Sequence, residues 1–183
     1  CYLCDDSKPP HSVSYEAMDE NSTGDNTWSF VMYSESELAA WGARLAEVLC
    51  IGDIIALEGT LGSGKTTLAR SIIRAVYGET TVVPSPTFTL VQIYEGERLP
   101  IWHCDLYRLG SSEETLELGL DEAYREAVTL IEWPDRLGAT LPKNALNLRL
   151  ENEASTNESF RRIFLSGNKR WQAALDYLGC NDA

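Results

Sequence analysis

The sequence predicts an α/β domain built on a central mixed sheet, parallel with antiparallel additions, flanked by helices. Three observations predict it. Strand-like and helix-like stretches alternate from residue 28 onward, the order typical of α/β chains. Residues 53–77, DIIALEGTLGSGKTTLARSIIRAVY, run from an apolar strand through a glycine-rich loop into a helix pattern. Residues 87–107 read as a hairpin, and a hairpin is antiparallel, so the sheet must be mixed.

The elements follow in order. Residues 1–27 are polar, carry Pro9-Pro10, and hold six acids against one lysine, a net charge of −5. They read as a flexible acidic extension, and 28–183 as a single domain. Trp28 to Tyr33 reads as a strand. Ser34-x-x-Glu37 is a capping-box signature, and Leu38, Trp41, Leu45, Val48 and Leu49 give the next helix one apolar face. Trp41 is expected in the core. Ile54 to Leu57 is a buried-type strand. Thr67-Leu68-Ala69, Ile72-Ile73 and Val76 continue at helical spacing to a stop at Gly78. TTVVPSP (80–86) is non-helical. Thr87 to Tyr94 alternates and reads as a strand, with Leu99 to Tyr107 returning after the Glu95–Arg98 turn. Residues 111–127 read as helical with an interruption near Gly119. Val128 to Ile131 is a short buried strand ended by Glu132-Trp133-Pro134-Asp135, with a turn or short helix over 134–139. Ala145 to Glu151 and Phe160 to Ser166 read as strands. Trp171, Leu175 and Leu178 make the last helix amphipathic. No repeat recurs at periods of about 20–50 residues.

The chemistry centres on Gly59-Thr60-Leu61-Gly62-Ser63-Gly64-Lys65-Thr66, which fits G-x-x-x-x-G-K-[ST], the phosphate-binding P-loop. Glycines let backbone N–H groups close on phosphate oxygens. Lys65 can reach the β- and γ-phosphates, and the Thr66 hydroxyl can hold Mg²⁺. The following helix points its positive end at the anion. The expected nucleotide contacts are therefore Thr60, Leu61, Gly62, Ser63, Gly64, Lys65, Thr66 and Thr67.

Such a loop needs an acidic centre for magnesium and water, commonly an acid at the end of an apolar strand. Two stretches fit. Glu132 emerges from Val128-Thr129-Leu130-Ile131, and Asp105 ends Ile101-Trp102-His103-Cys104. The plain alternatives are an exposed turn acid for Glu132 and a capping or Arg108-paired acid for Asp105. Thr87, after two prolines, could contact the γ-phosphate region as a switch does, or could simply open a strand. His103 alone reads as a satisfied strand histidine. Arg108 could stabilise charge at the γ-phosphate or form a structural ion pair. Guanine specificity usually shows N/T-K-x-D; Asn168-Lys169-Arg170-Trp171 lacks the acid, which favours adenine.

Composition bounds the rest. The chain has 183 residues, 44% hydrophobic, and a net charge of −13, which argues against a broad phosphate-backbone footprint on this chain alone. Any nucleic-acid role should run through partners. Five cysteines at 1, 4, 50, 104 and 180 form no regular framework and suit a reducing compartment. Cys50 and Cys104 read as small buried hydrophobes. Cys1-x-x-Cys4 with His11 is half a zinc site without its other half. Neither a signal-type h-region nor a long apolar span is present in the sequence, so a cytoplasmic protein with no membrane segment is expected.

Taken together, the P-loop with Thr67, Ser85-Pro86-Thr87-Phe88, His103-x-Asp105-Leu106-Tyr107-Arg108-Leu109 and Ile131-Glu132-Trp133-Pro134-Asp135 resemble the TsaE family, formerly YjeE. These are bacterial ATPases of tRNA threonylcarbamoyladenosine synthesis. The resemblance covers about residues 28–151 strongly, the last strand and helix more loosely, and residues 1–27 not at all. It implies a P-loop NTPase fold, ATP and Mg²⁺, slow hydrolysis alone, and work in a complex with TsaD and TsaB. In that family TsaD modifies the tRNA adenosine 3′ of the anticodon, so tRNA is met only through the complex. Carried over, the resemblance implies Lys65, Asp105 and Glu132 as catalytic residues. It implies Thr66, Glu132 and Asp105 at the metal, Thr87 as the switch-like residue, and Trp133 as the tryptophan beside the acid. Two other readings stand beside it: a P-loop small-molecule kinase, which needs an acceptor pocket and an arginine-rich lid (Arg161, Arg162 and Arg170 are the candidates), and a nucleotide-dependent scaffold without catalysis.

Overall fold

The computed structural model describes residues 26–96, 98–110, 113–154 and 159–178. The expected extension lies outside these residues up to position 25, as do Cys1, Cys4, His11 and Cys180. Strand β1 (Asn26–Met32) already includes the last two residues assigned to the extension.

Seven strands form one sheet in the order β1-β7-β6-β2-β5-β4-β3. Its centre is four parallel strands: β6 (Leu146–Ala154), β2 (Ile54–Gly59), β5 (Val128–Glu132) and β4 (Ile101–Asp105). Antiparallel strands close both sides, β7 (Ser159–Gly167) and β1 on one and β3 (Val91–Tyr94) on the other. Strand β5 is buried at every position, which is why its sequence reads as a continuous apolar run rather than an alternation.

Two apolar layers sandwich the sheet. Helices α1 (Glu35–Val48), α2 (Lys65–Tyr77) and α4 (Lys169–Tyr177) cover one face, packing Leu38, Trp41, Leu45, Leu68, Ile72, Trp171 and Leu175 against Ile55, Leu57, Leu148 and Leu165. On the other face Ile54, Ala56, Cys104 and Ile131 meet Leu106, Leu120 of α3 (Leu120–Glu126) and Leu137. Ser34 caps α1, its hydroxyl accepting from the Glu37 N–H at 3.1 Å, while the Glu37 carboxylate accepts from the Tyr33 N–H at 2.9 Å. Gly78 ends α2, donating its N–H to Arg74.

Four expectations need correction. Thr87–Leu90 is a turn, not strand: Pro86 leads into it, the Leu90 N–H closes it on the Pro86 carbonyl at 2.7 Å, and Leu90 takes φ 62°. The returning strand is shorter than Leu99–Tyr107, because Pro100 has no N–H to donate and Leu106 to Leu109 close a turn. The last two strands are longer than expected, pairing out to Ala154 and Ser159. Cys50 is exposed, because it sits in the turn between α1 and β2; Cys104 is buried, which pushes its thiol up to about 12. The expected interruption near Gly119 is present: a 3₁₀ helix (Glu114–Leu118) precedes it and α3 follows it.

Candidate functional site

The loop between β2 and α2 lies at the carboxyl ends of the parallel strands, where open α/β sheets bind ligands. The pairing of β2 with β5, and of β5 with β4, carries Glu132 and Asp105 to the same end, side by side in register. A cavity of about 320 Å³ opens there, and Leu61, Gly62, Gly64, Lys65, Thr66, Thr67, Thr87, Asp105, Glu132 and Trp133 all line it. The sequence-predicted residues thus converge, apart from Thr60 and Ser63, which build the loop from behind. Thr60 gives its carbonyl to Lys65, and Ser63 is wholly buried. A larger hollow of about 720 Å³ lies over β1, β7, β6 and β2 around Arg149 and Phe164. It lacks a set of buried acids facing a cation, so the smaller cavity is the candidate site.

Lys65 is 4% exposed. Its ammonium donates to the carbonyls of Gly59 (2.7 Å) and Thr60 (2.9 Å), and it lies 4.0 Å from the centre of the Trp133 ring. Burial lowers its pKa from the usual lysine value, while Glu132, Asp105 and Asp135 pull it back up. An arriving phosphate would compete with these carbonyls and the indole for the ammonium. Trp133 holds its place through an unusual backbone, φ 60° and ψ 54°, with its N–H on the Leu57 carbonyl at 3.2 Å. Tyr107 packs on its ring at 4.9 Å.

Glu132 is 2% exposed and is held twice. The Thr66 hydroxyl lies 2.9 Å from both carboxylate oxygens, and His103 Nε2 lies 2.9 Å from one of them. Glu132 is therefore no exposed turn acid, and His103 is the strand histidine expected, its Nε2 partnered by that acid. His103 is fully buried, and its Nδ1 has no partner among the described residues. Donation from Nε2 to a carboxylate leaves Nδ1 as a bare acceptor, a smaller burial penalty than an unpaired charged N–H. Asp105 accepts from the Thr87 hydroxyl at 2.6 Å and from the Tyr107 N–H at 3.1 Å, so Thr87 opens no strand but ties its turn to the acid. Arg108 is exposed and stacks over Phe88, away from the cavity and without an ion pair to Asp105 among the described contacts.

Among the described residues no group of three or more His, Cys, Asp or Glu could hold a metal by itself. Magnesium does not ask for one: it keeps several waters and uses one or two carboxylates plus substrate phosphates. Thr66 Oγ1, Glu132 and Asp105 offer hard oxygen donors beside a phosphate loop, and that set fits Mg²⁺. Sequence reasoning took His103 as a satisfied strand histidine and Arg161 only as a lid candidate of the kinase reading, and placed neither at the phosphate site. His103 reaches Glu132 across two paired strands, and Arg161 of β7 lines the cavity beside the loop.

The family model described as threonylcarbamoyl adenosine biosynthesis protein TsaE matches residues 32–163. A protein of Rickettsia bellii named tRNA threonylcarbamoyladenosine biosynthesis protein TsaE is 42% identical over 121 residues, 66% of this chain and 84% of that protein. One of the same name from Treponema pallidum is 34% identical over 128 residues, 69% of this chain and 93% of that protein. The crystal structure of Bacillus subtilis YdiB superposes with a TM-score of 0.73 at 27% identity, covering 88% of this chain and all of that one. The seven-stranded mixed sheet around the loop is the α/β P-loop architecture the sequence predicts.

Proposed function

Because the chain belongs to the TsaE family, we propose that it is a magnesium-dependent ATPase serving threonylcarbamoylation of the tRNA adenosine 3′ of the anticodon, in the cytoplasm, with TsaD and TsaB as protein partners. One observation carries the ATPase reading. The hydroxyl of Thr66, at the first turn of the loop helix, lies on the buried carboxylate of Glu132. That contact brings the phosphate loop and the strand-end acid to one point, as phosphoryl transfer to water requires.

Each side chain has a part. Lys65 leaves the Gly59 and Thr60 carbonyls and takes the β- and γ-phosphates. The loop amides and the α2 N-terminus hold the remaining charge. Thr66 and the two acids would hold magnesium, which when bound neutralises charge on the β- and γ-oxygens. Glu132, fixed by His103, organises the attacking water. Asp105, fixed by Thr87, links the 86–90 turn to the same centre, so ordering of that turn by a partner would bear on the rate. The net charge of −13 supports leaving tRNA contact to partners. Among the described residues no helix is long and apolar enough to cross a membrane.

The test is phosphate release from Mg-ATP by the purified chain, alone and with TsaD and TsaB, alongside threonylcarbamoyl transfer to tRNA. Slow release alone and strong stimulation by the pair are expected. No ADP formed with all partners present, while transfer still depends on the chain, would replace the ATPase with a nucleotide-dependent scaffold.

A further inference from the structure

The segment entering the 86–90 turn holds a hydroxyl at the phosphate cavity that the mechanism above does not use. Pro84 and Pro86 fix the backbone on either side of Ser85 and have no N–H of their own. Val83 and Pro86 are buried, which anchors the segment before and after the serine. Two arginines of α2 hold its start. Arg70 Nε donates to the Val83 carbonyl and Arg74 Nε to the Thr81 carbonyl, each at 3.2 Å. Ser85 itself is open to solvent and lines the cavity together with Thr87 and Asp105.

The hydrogen bonds give this hydroxyl a polarity. Thr87 donates to Asp105 Oδ2 at 2.6 Å, which commits its one proton. Ser85 Oγ lies 2.8 Å from Thr87 Oγ1, so Ser85 must be the donor in that bond. Its own proton is thereby committed too, and toward the cavity its Oγ presents lone pairs only. The chain Asp105–Thr87–Ser85 thus ends in an acceptor. The oxygens of an ionised triphosphate cannot donate to it; a water can.

We propose that Ser85 positions the water that attacks the γ-phosphate, by accepting one of its hydrogens. The inference rests on the reading that this chain hydrolyses ATP, and adds a residue to it. Glu132 lines the same cavity and takes the other hydrogen. A water held by both hydrogens turns its lone pairs to the phosphorus, and fixing that direction is what separates a reactive encounter from a chance one. The water oxygen bonds to the γ-phosphorus, the bond from that phosphorus to the β–γ bridging oxygen breaks, and ADP leaves with the electron pair. One water proton stays on the phosphate formed and the other passes to solvent. Thr87 acts one step removed, as a positioning residue that keeps the Ser85 proton turned away from the water.

Two measurements on the full chain test this: phosphate release from Mg-ATP at saturating TsaD and TsaB, and calorimetric binding of the non-hydrolysable analogue Mg-AMPPNP. Wild type, Ser85→Ala and Ser85→Thr are compared, with melting temperature as the folding control. Ser85→Ala should lower kcat about 10- to 100-fold while leaving analogue affinity within about twofold of wild type, and Ser85→Thr, which keeps the hydroxyl, should restore most of the rate. Thr87→Val frees the Ser85 proton to turn into the cavity; it should slow kcat as well, and adding Ser85→Ala to it should slow it little further. A wild-type kcat in Ser85→Ala would overturn the role of Ser85 and leave the ATPase reading standing. Rate and affinity lost together, with no rescue by threonine, would make the serine structural and overturn it too. Fully additive losses in the double variant would show that Ser85 does not act through Thr87 and would break the chain of inference. If wild type releases no phosphate, the ATPase reading itself fails and takes the role of Ser85 with it.

Discussion

Replacing Gly59 by alanine is the sharpest perturbation of the loop that leaves its charged groups in place. Gly59 ends β2 with φ 138°, in register with Leu150 of β6. A Cβ there would fall against the Leu150 carbonyl oxygen, closer than heavy atoms approach, and 2.6 Å from Ser63 Oγ. The serine can rotate; the carbonyl is backbone and cannot. Positive φ costs an L-residue about 1–2 kcal/mol. Parting the last step of the β2–β6 ladder costs about 0.5–1.5 kcal/mol more per hydrogen bond lost. A total near 2–4 kcal/mol lowers the melting temperature of a chain this size by about 5–15 °C. The same shift moves the Gly59 and Thr60 carbonyls that hold Lys65, so ATP affinity should fall as well. Gly62→Ala is the matched control: φ is 78° there, but no atom lies within 4 Å of the added carbon, so only the backbone strain remains. Scanning calorimetry of both variants decides the matter. Equal melting temperatures for Gly59→Ala and Gly62→Ala would refute the packing of the loop against β6.

Other expectations concern the charged centre. Glu132→Gln should slow ATP hydrolysis by about 10²–10⁴-fold, read as phosphate release with circular dichroism unchanged. His103→Phe takes a hydrogen bond from a buried carboxylate and should cost about 1.5–3 kcal/mol in urea denaturation; an unchanged midpoint would contradict the His103–Glu132 contact. Lys65→Met should alter the pH dependence of stability. Burial holds the folded pKa of Lys65 below 10.5, so between that folded value and 10.5 the unfolded chain binds the extra proton, and stability rises with pH. Urea denaturation from neutral pH up to 10.5 should show that rise in wild type relative to Lys65→Met, and parallel curves would oppose it.

Much of this was legible because it is local. The loop motif, the cap at Ser34, the stop at Gly78 and the acids at the ends of β4 and β5 each announce themselves within a few residues. What was not legible depends on contacts far apart in sequence. Thr87–Leu90 alternates like a strand, yet the Thr87 bond to Asp105, eighteen residues on, and the turn after Pro86 override that pattern. His103 shows its partner only once β4 is laid beside β5. Arg161 reaches the loop because β7 and β6 fold back beside β2, an order that no local periodicity encodes. Trp133 could be singled out by its neighbours in sequence, but its seat over the Lys65 ammonium follows from a backbone turn that a tryptophan rarely adopts.

The most direct trial of the account is the rate of phosphate release from Mg-ATP, measured with TsaD and TsaB present, for wild type against Lys65→Ala. The account predicts turnover in wild type and loss of about 100-fold or more in the variant, because the cation that gathers the transferring phosphate is gone. Equal rates in the two proteins would mean that this loop is not where the triphosphate is cleaved.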